Sequence, residues 1–214
     1  MKQLLNRLWG GRSRTEAEEA ALPPAQAPIV IVSGLPRSGT SMMMKMLEAG
    51  GLPVMIDGLR TADKDNPEGY YELERVKELD KGDTAWIGEV QGKAVKVISA
   101  LLEYLPPVYT YRVIFMHRNL AEVLRSQRRM LEHRGEDADT VSDAEIAELF
   151  TRHVAKTLRW ARTQPNFTLL EVDYNVLLQD PLPSIRAVNQ FLDGRLNETA
   201  MAQVVNPALY RNRA

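Results

Sequence analysis

The chain has 214 residues, of which 44% are hydrophobic and 26% charged, an ordinary globular composition. At this length about 70% of the unfolded surface can be buried, so a core of sheet and helices needs no metal or cross-link. The net charge of -1 excludes a general nucleic-acid binder, and the lack of cysteine excludes a disulfide scaffold, a thiolate zinc site and a cysteine nucleophile.

Residues 1–27 are expected to form a flexible leader, ahead of one domain over residues 28–214. Met1 to Trp9 is cationic and apolar but lacks the apolar core and cleavage site of a signal peptide. It is either a short amphipathic helix making peripheral membrane contact or a frayed or partner-docked end. Ala21 to Pro28 is a proline-rich linker. No transmembrane segment is expected, because no run approaches the roughly 18 apolar residues of a span.

Ile29 to Ser33 is a β-branched run without polar alternation, as in a strand buried on both faces of a parallel sheet. A glycine loop, Gly34 to Ser41, leads into a helix that Gly50-Gly51 stops. Leu52 to Met55 is a candidate second strand, and Tyr70 to Leu79 is expected to be helical. Strands are expected at Ala94–Ile98, Tyr111–Met116 and Phe167–Val172. Helices are expected from Leu120 to His133, from the capping box Ser142-Asp143-Ala144-Glu145 to Thr163, and over Ser184–Leu192 and Glu198–Val205. Strands alternating with helices predict an α/β fold with a central, mostly parallel sheet.

Gly34-Leu35-Pro36-Arg37-Ser38-Gly39-Thr40-Ser41 has P-loop spacing, with Thr40 where an ATP-type loop carries lysine. Backbone amides, the helix N-terminus and the hydroxyls of Ser38, Thr40 and Ser41 would cradle an anion, and Arg37 supplies the positive charge. His117, His133 and His153 are the three histidines and lack metal-ligand spacing, so no metal is expected.

This loop, from Pro36 to Ser41 after a hydrophobic strand, resembles the 5′-phosphosulfate loop of P-loop sulfotransferases. Those enzymes use 3′-phosphoadenosine 5′-phosphosulfate (PAPS). Arginine rather than lysine at position 37 is similar to the tyrosylprotein branch. His117 to Ser126 resembles the family's 3′-phosphate segment, with Arg118 at a strand end and Ser126 on the next helix, although Asn119-Leu120 stands where Asp-Pro is usual. Asp65 to Glu72 and Val172 to Leu192 resemble segments of bacterial sulfotransferase-like proteins.

The resemblance implies a nucleotide-kinase-like three-layer fold and a PAPS-dependent enzyme acting on a hydroxyl or amine of a small molecule, sugar or peptide. Pro36, Arg37, Ser38, Gly39, Thr40, Ser41, Arg118 and Ser126 would bind the donor. Arg37 would neutralise the charge that develops during transfer. Lys96, or else Lys93, is similar by position to a basic residue that the family places in its active site. Glu72 is the expected general base, ahead of Glu68, Asp63 and Asp65. Asp57–Gly92 and His133–Thr163 would shape the acceptor pocket, and an intracellular donor implies a cytoplasmic protein. The competing readings are a P-loop kinase or NTPase, with Leu169 to Asp173 as its magnesium-holding strand, and a non-catalytic nucleotide-binding module.

Overall fold

The computed structural model describes residues 27–59, 69–133 and 142–205. The leader, the alternative bases Glu68, Asp63 and Asp65, and the basic tail therefore lie outside the described residues. Four strands, β1 (Ile29–Gly34), β2 (Ala94–Lys96), β3 (Tyr111–His117) and β4 (Phe167–Asp173), form one parallel sheet in the order β2-β1-β3-β4. Every residue of β1 is buried. A two-sided core explains this, because Ile29 and Ile31 pack into the layer on one face while Val30 and Val32 pack on the other. Each such side chain contributes roughly 1.5–3 kcal/mol on burial, which is why the strand contains no polar alternation.

On the Val30 face lie α1 (Thr40–Ala49), α4 (Tyr174–Gln179), α5 (Pro181–Phe191) and α6 (Glu198–Val204), through Met43, Met46, Leu177, Ile185 and Met201. The opposite face is covered by α3 (Asp143–Thr163) and by 3₁₀ segments, through Leu158, Ala161, Trp86, Ile87 and Leu101. The fold therefore has three layers. Helix α2 (Leu120–His133) packs Val123 and Leu124 against Leu35 of the glycine loop and against Ile146 and Phe150 of α3.

Two elements differ from expectation. Leu52 to Met55 makes one bridge, Val54 to Ala94, instead of a strand. The Ala94 amide donates to the Pro53 carbonyl at 2.8 Å and the Met55 amide to the Ala94 carbonyl at 2.7 Å, but Pro53 has no N–H to extend the ladder on one side, and on the other the Asp57 amide turns to the Glu72 carbonyl. Tyr70 to Leu79 is not one helix. It runs irregularly through Leu73, and a 3₁₀ helix occupies Glu74–Lys81, because Tyr71 takes a φ of 50° that no right-handed helix accommodates. The strand expected to reach Ile98 ends at Lys96, where the chain turns into a 3₁₀ helix at Ser99–Tyr104.

The capping box holds, since the Ser142 side chain accepts from the Glu145 amide and Glu145 accepts from the Ser142 amide. Helix α2 is described over Leu120–His133, and Gly135, a glycine suited by sequence to follow a helix end, lies outside the described residues.

Candidate functional site

In the order β2-β1-β3-β4 the connection direction reverses between β1 and β3, so the loops after these strands flank one crevice at their C-terminal ends. Ligands of open α/β sheets bind at such a crevice. The loop after β1 is the glycine loop, and the loop after β3 begins with Arg118.

The glycine loop is closed by the Ser38 amide, which donates to the Leu35 carbonyl at 3.2 Å. Gly34 and Gly39 cannot carry a side chain. Gly34 has φ 145°, and a Cβ there would lie 2.6 Å from the Met116 carbonyl oxygen of β3. Gly39 has φ 96°, and its Cβ would lie 2.2 Å from the Tyr174 ring. Gly39 is also the N-cap of α1 and offers no side-chain cap, which leaves the first-turn amides directed at the crevice. The Ser38 hydroxyl is buried without a hydrogen-bond partner among the described residues. Such a set of donors fits an oxyanion.

Arg37 and the segment after β3 are joined directly. The Arg37 Nε donates to Ser126 Oγ at 2.9 Å, and Arg118 Nη1 donates to the Arg37 carbonyl at 3.0 Å. Arg118 Nε donates to Glu122 Oε2 at 3.0 Å, and this pair is almost fully buried, at 8% and 2% exposure. Asn175 Nδ2 donates to the other Glu122 oxygen at 3.0 Å, while Asn175 Oδ1 accepts from the Asn119 amide. Asn119 Oδ1 in turn accepts from the Ala121 amide at 2.9 Å, so asparagine starts α2 as the usual Asp-Pro pair would. Arg118 also stacks on Tyr174, with Cζ 4.6 Å from the ring centre. Burial holds the Tyr174 hydroxyl's ionisation above its ordinary value.

Across the start of α1 stands a second cluster. Lys96, at the end of β2, is 9% exposed, and its Nζ lies 3.4 Å from both Ser41 Oγ and Glu72 Oε1. It also donates to the Tyr70 carbonyl, which accepts from Ser41 Oγ at 3.0 Å as well. Lys93 sits at the opposite end of β2, away from the crevice. Thr40 opens α1 beside Gly39. The structure thus brings Arg37, Ser38, Gly39, Arg118 and Ser126 into one half of the crevice and Ser41, Lys96 and Glu72 into the other, with Pro36 in the same loop. Gln127 Nε2 reaches the Pro36 carbonyl at 3.5 Å.

Tyr174, Asn175 and Glu122 complete the arginine half and were not singled out in the sequence. Their only local signal is that Tyr174-Asn175 immediately follows a strand end. Arg125, Arg128 and Arg129 lie on the exposed face of α2. His117 Nε2 contacts Glu171 Oε2 at 2.8 Å, a cross-strand contact between β3 and β4. Asp173 does not resemble a magnesium ligand, because its Oδ1 accepts from the amides of Asn175 and Val176 and caps α4. No group of three metal-ligating side chains occurs among the described residues. No described helix is long and apolar enough to cross a membrane.

Comparison with known proteins bears on the family and the fold. A family model described as a sulfotransferase domain matches residues 27–212. The sulfotransferase domain of the Synechococcus PCC 7002 olefin synthase is similar at 16% identity and a TM-score of 0.51, over 92% of this chain and 88% of that one. Sulfotransferase STF1 from Mycobacterium tuberculosis H37Rv is similar at 16% identity and a TM-score of 0.54, over 85% and 71%. Mouse sulfotransferase SULT7A1, complexed with PAP, is similar at 17% identity and a TM-score of 0.50, over 90% and 68%. At these identities the likeness is one of fold. No curated protein sequence matches significantly.

Proposed function

The chain belongs to the sulfotransferase family, and from that premise we propose that it transfers a sulfuryl group from PAPS to a hydroxyl or amine of a small molecule, sugar or peptide. The carrying observation is the joined pair of arginines: Arg37 and Arg118 leave different strands and meet through a 3.0 Å hydrogen bond at the crevice. Two anionic groups of one nucleotide fit two such centres better than one phosphate does. On this reading the 5′-phosphosulfate lies over the loop from Pro36 to Ser41, and the 3′-phosphate lies against Arg118 and Ser126.

PAPS supplies the activated sulfuryl group, and the remaining functions fall to side chains. The Ser38, Thr40 and Ser41 hydroxyls and the α1 amides hold the phosphosulfate oxygens. Arg37 and Lys96 offset the negative charge that grows on the bridging oxygen as the bond breaks. Glu72, beside Lys96, accepts the acceptor's proton. The acceptor enters between the Asp57–Gly92 region and α3. The protein acts in the cytoplasm, where the donor is available, and requires no metal.

Calorimetry with PAP, ADP and ATP, with and without magnesium, tests the assignment. Wild-type protein is expected to prefer PAP and to ignore magnesium. Loss of a charged hydrogen-bond donor in Arg118→Ala should weaken PAP by about 10–100-fold and leave ADP nearly unchanged. Tighter binding of ATP in the presence of magnesium would refute the donor assignment and favour the kinase reading.

A further inference from the structure

Glu72 is well placed only because the backbone before it is bent in an unusual way. Tyr71 has φ 50°, in the left-handed region, where a bulky aromatic residue is strained. Conformations of this kind persist where the surroundings over-determine them, and they cluster at functional sites. Here the consequence is direct. The carbonyl before the bend, that of Tyr70, and the carboxylate after it, that of Glu72, both turn toward Lys96 Nζ, and the Glu72 oxygen comes to 3.4 Å.

The bend is fastened on both sides. The Tyr71 hydroxyl donates to Glu48 Oε2 at 2.6 Å, tying the segment to the last turn of α1, the helix whose first turn carries Thr40 and Ser41. The ring packs into the core on that face of the sheet. Burial, followed by the Glu48 hydrogen bond, pushes the Tyr71 ionisation up, so the hydroxyl stays a donor at any functional pH. Beyond Glu72, the Asp57 amide donates to the Glu72 carbonyl at 3.2 Å, and the Asp57 carboxylate accepts from the amides of Leu59 and Glu74.

We propose that Tyr71, anchored by Glu48, is a positioning residue that aims Glu72 at Lys96 and thereby sets the turnover rate. This rests on the assignment of Glu72 as the base. Tyr71 touches neither arginine centre, so its effect should fall on kcat and not on donor binding.

The full chain and its Tyr71→Phe, Glu48→Ala, Glu48→Gln and Glu72→Gln variants would be compared by three measurements. These are PAP affinity, PAP release from PAPS with a simple aliphatic alcohol or water as acceptor, and a crystal structure of Tyr71→Phe. Small displacements of a reacting group cost up to about 100-fold, so Tyr71→Phe and Glu48→Ala are expected to lower kcat about tenfold with the KM for PAPS and the PAP affinity little changed. Glu48→Gln should retain most of the rate, because its amide oxygen still accepts the hydrogen bond. In the Tyr71→Phe crystal structure the Glu72 carboxylate should have left Lys96. Full kcat in Tyr71→Phe, or a Glu72 carboxylate still seated on Lys96 there, would overturn the proposal. Full turnover by Glu72→Gln would instead overturn the assignment of the base.

Discussion

At the scale of single residues, the arginine half of the crevice depends on one buried carboxylate. Glu122 takes the Arg118 Nε hydrogen bond on one oxygen and the Asn175 amide on the other, and both members of the ion pair are almost sealed from water. In the free protein its charge compensates a guanidinium that could not otherwise be buried at acceptable cost. In the bound protein a 3′-phosphate would provide a second negative charge near the same arginine. Glu122→Gln should therefore have two effects of opposite sign. Unfolding of the free protein becomes easier by about 3 kcal/mol, because a buried charge loses its partner. PAP binding becomes tighter, by about tenfold, because one repelling charge is gone and the ligand now compensates the arginine. Urea unfolding and calorimetry on the same preparation check both, and weaker PAP binding in this variant would remove Arg118 from the phosphate site. Arg118 and Ser126 stand out in the sequence only through the resemblance of His117 to Ser126 to a family segment, and the structure sets both beside Arg37. Tyr174 and Asn175 do not stand out, since the contacts of Tyr174 with Arg118 and Gly39 and of Asn175 with Glu122 and Asn119 exist only once β4 lies beside β3.

At the scale of elements, periodicity and capping located what local chemistry decides. The start of α2 and the capping box of α3 follow from sequence signals within a few residues of each helix N-terminus. Leu52 to Met55 misled because apolar composition does not register that Pro53 lacks a donor on one side of Val54 and that the Asp57 amide is taken by the Glu72 carbonyl on the other, which leaves a single bridge. Tyr70 to Leu79 misled because its helical spacing does not register a left-handed tyrosine held by a contact on another helix. Helix α4 is only six residues long and is set by the Asp173 cap, which reads in sequence as the end of a strand. The glycine loop is the opposite case, where the residue pattern and the packing coincide. Gly39→Ala would force a side chain into the Tyr174 ring at a backbone angle that disfavours it. It should destabilise the fold by about 1–3 kcal/mol and weaken PAP markedly. Gly51→Ala, also at positive φ but with open space around its Cβ position, should carry the backbone cost alone and leave PAP affinity unchanged. Equal PAP losses in the two variants would mean that the Gly39–Tyr174 contact does not shape the donor site.

At the scale of the whole molecule, alternation of strands and helices implied a parallel sheet, but no local signal fixes the order β2-β1-β3-β4 that places two anion-binding loops side by side. That order also sets α3 beside the segment that follows β2, within the layer on the other face. His153, in the middle of α3, meets Ser99 Oγ at 2.9 Å, so a hydrogen bond joins these two elements of the layer. Burial, and secondarily the Lys156 charge, lower the His153 pKa to about 4, against about 6.5 for a solvated imidazole. Between these values the unfolded chain binds a proton there and the folded chain does not. Stability must therefore rise with pH across the window from 4 to 6.5 and be lost as pH falls through it. From pH 7 to pH 5 the loss attributable to this group is about 2 kcal/mol. The carboxylates held low by their hydrogen bonds, Asp83, Glu145 and Asp193, shift stability in the same direction as pH falls, but they are common to wild type and to a His153 variant. Subtracting the stability of His153→Gln from that of wild type at each pH isolates the histidine. The difference should shrink by about 2 kcal/mol between pH 7 and pH 5. A difference independent of pH would mean that the imidazole is solvated in the native state, and that α3 and the Ser99–Tyr104 segment are held together by apolar packing alone.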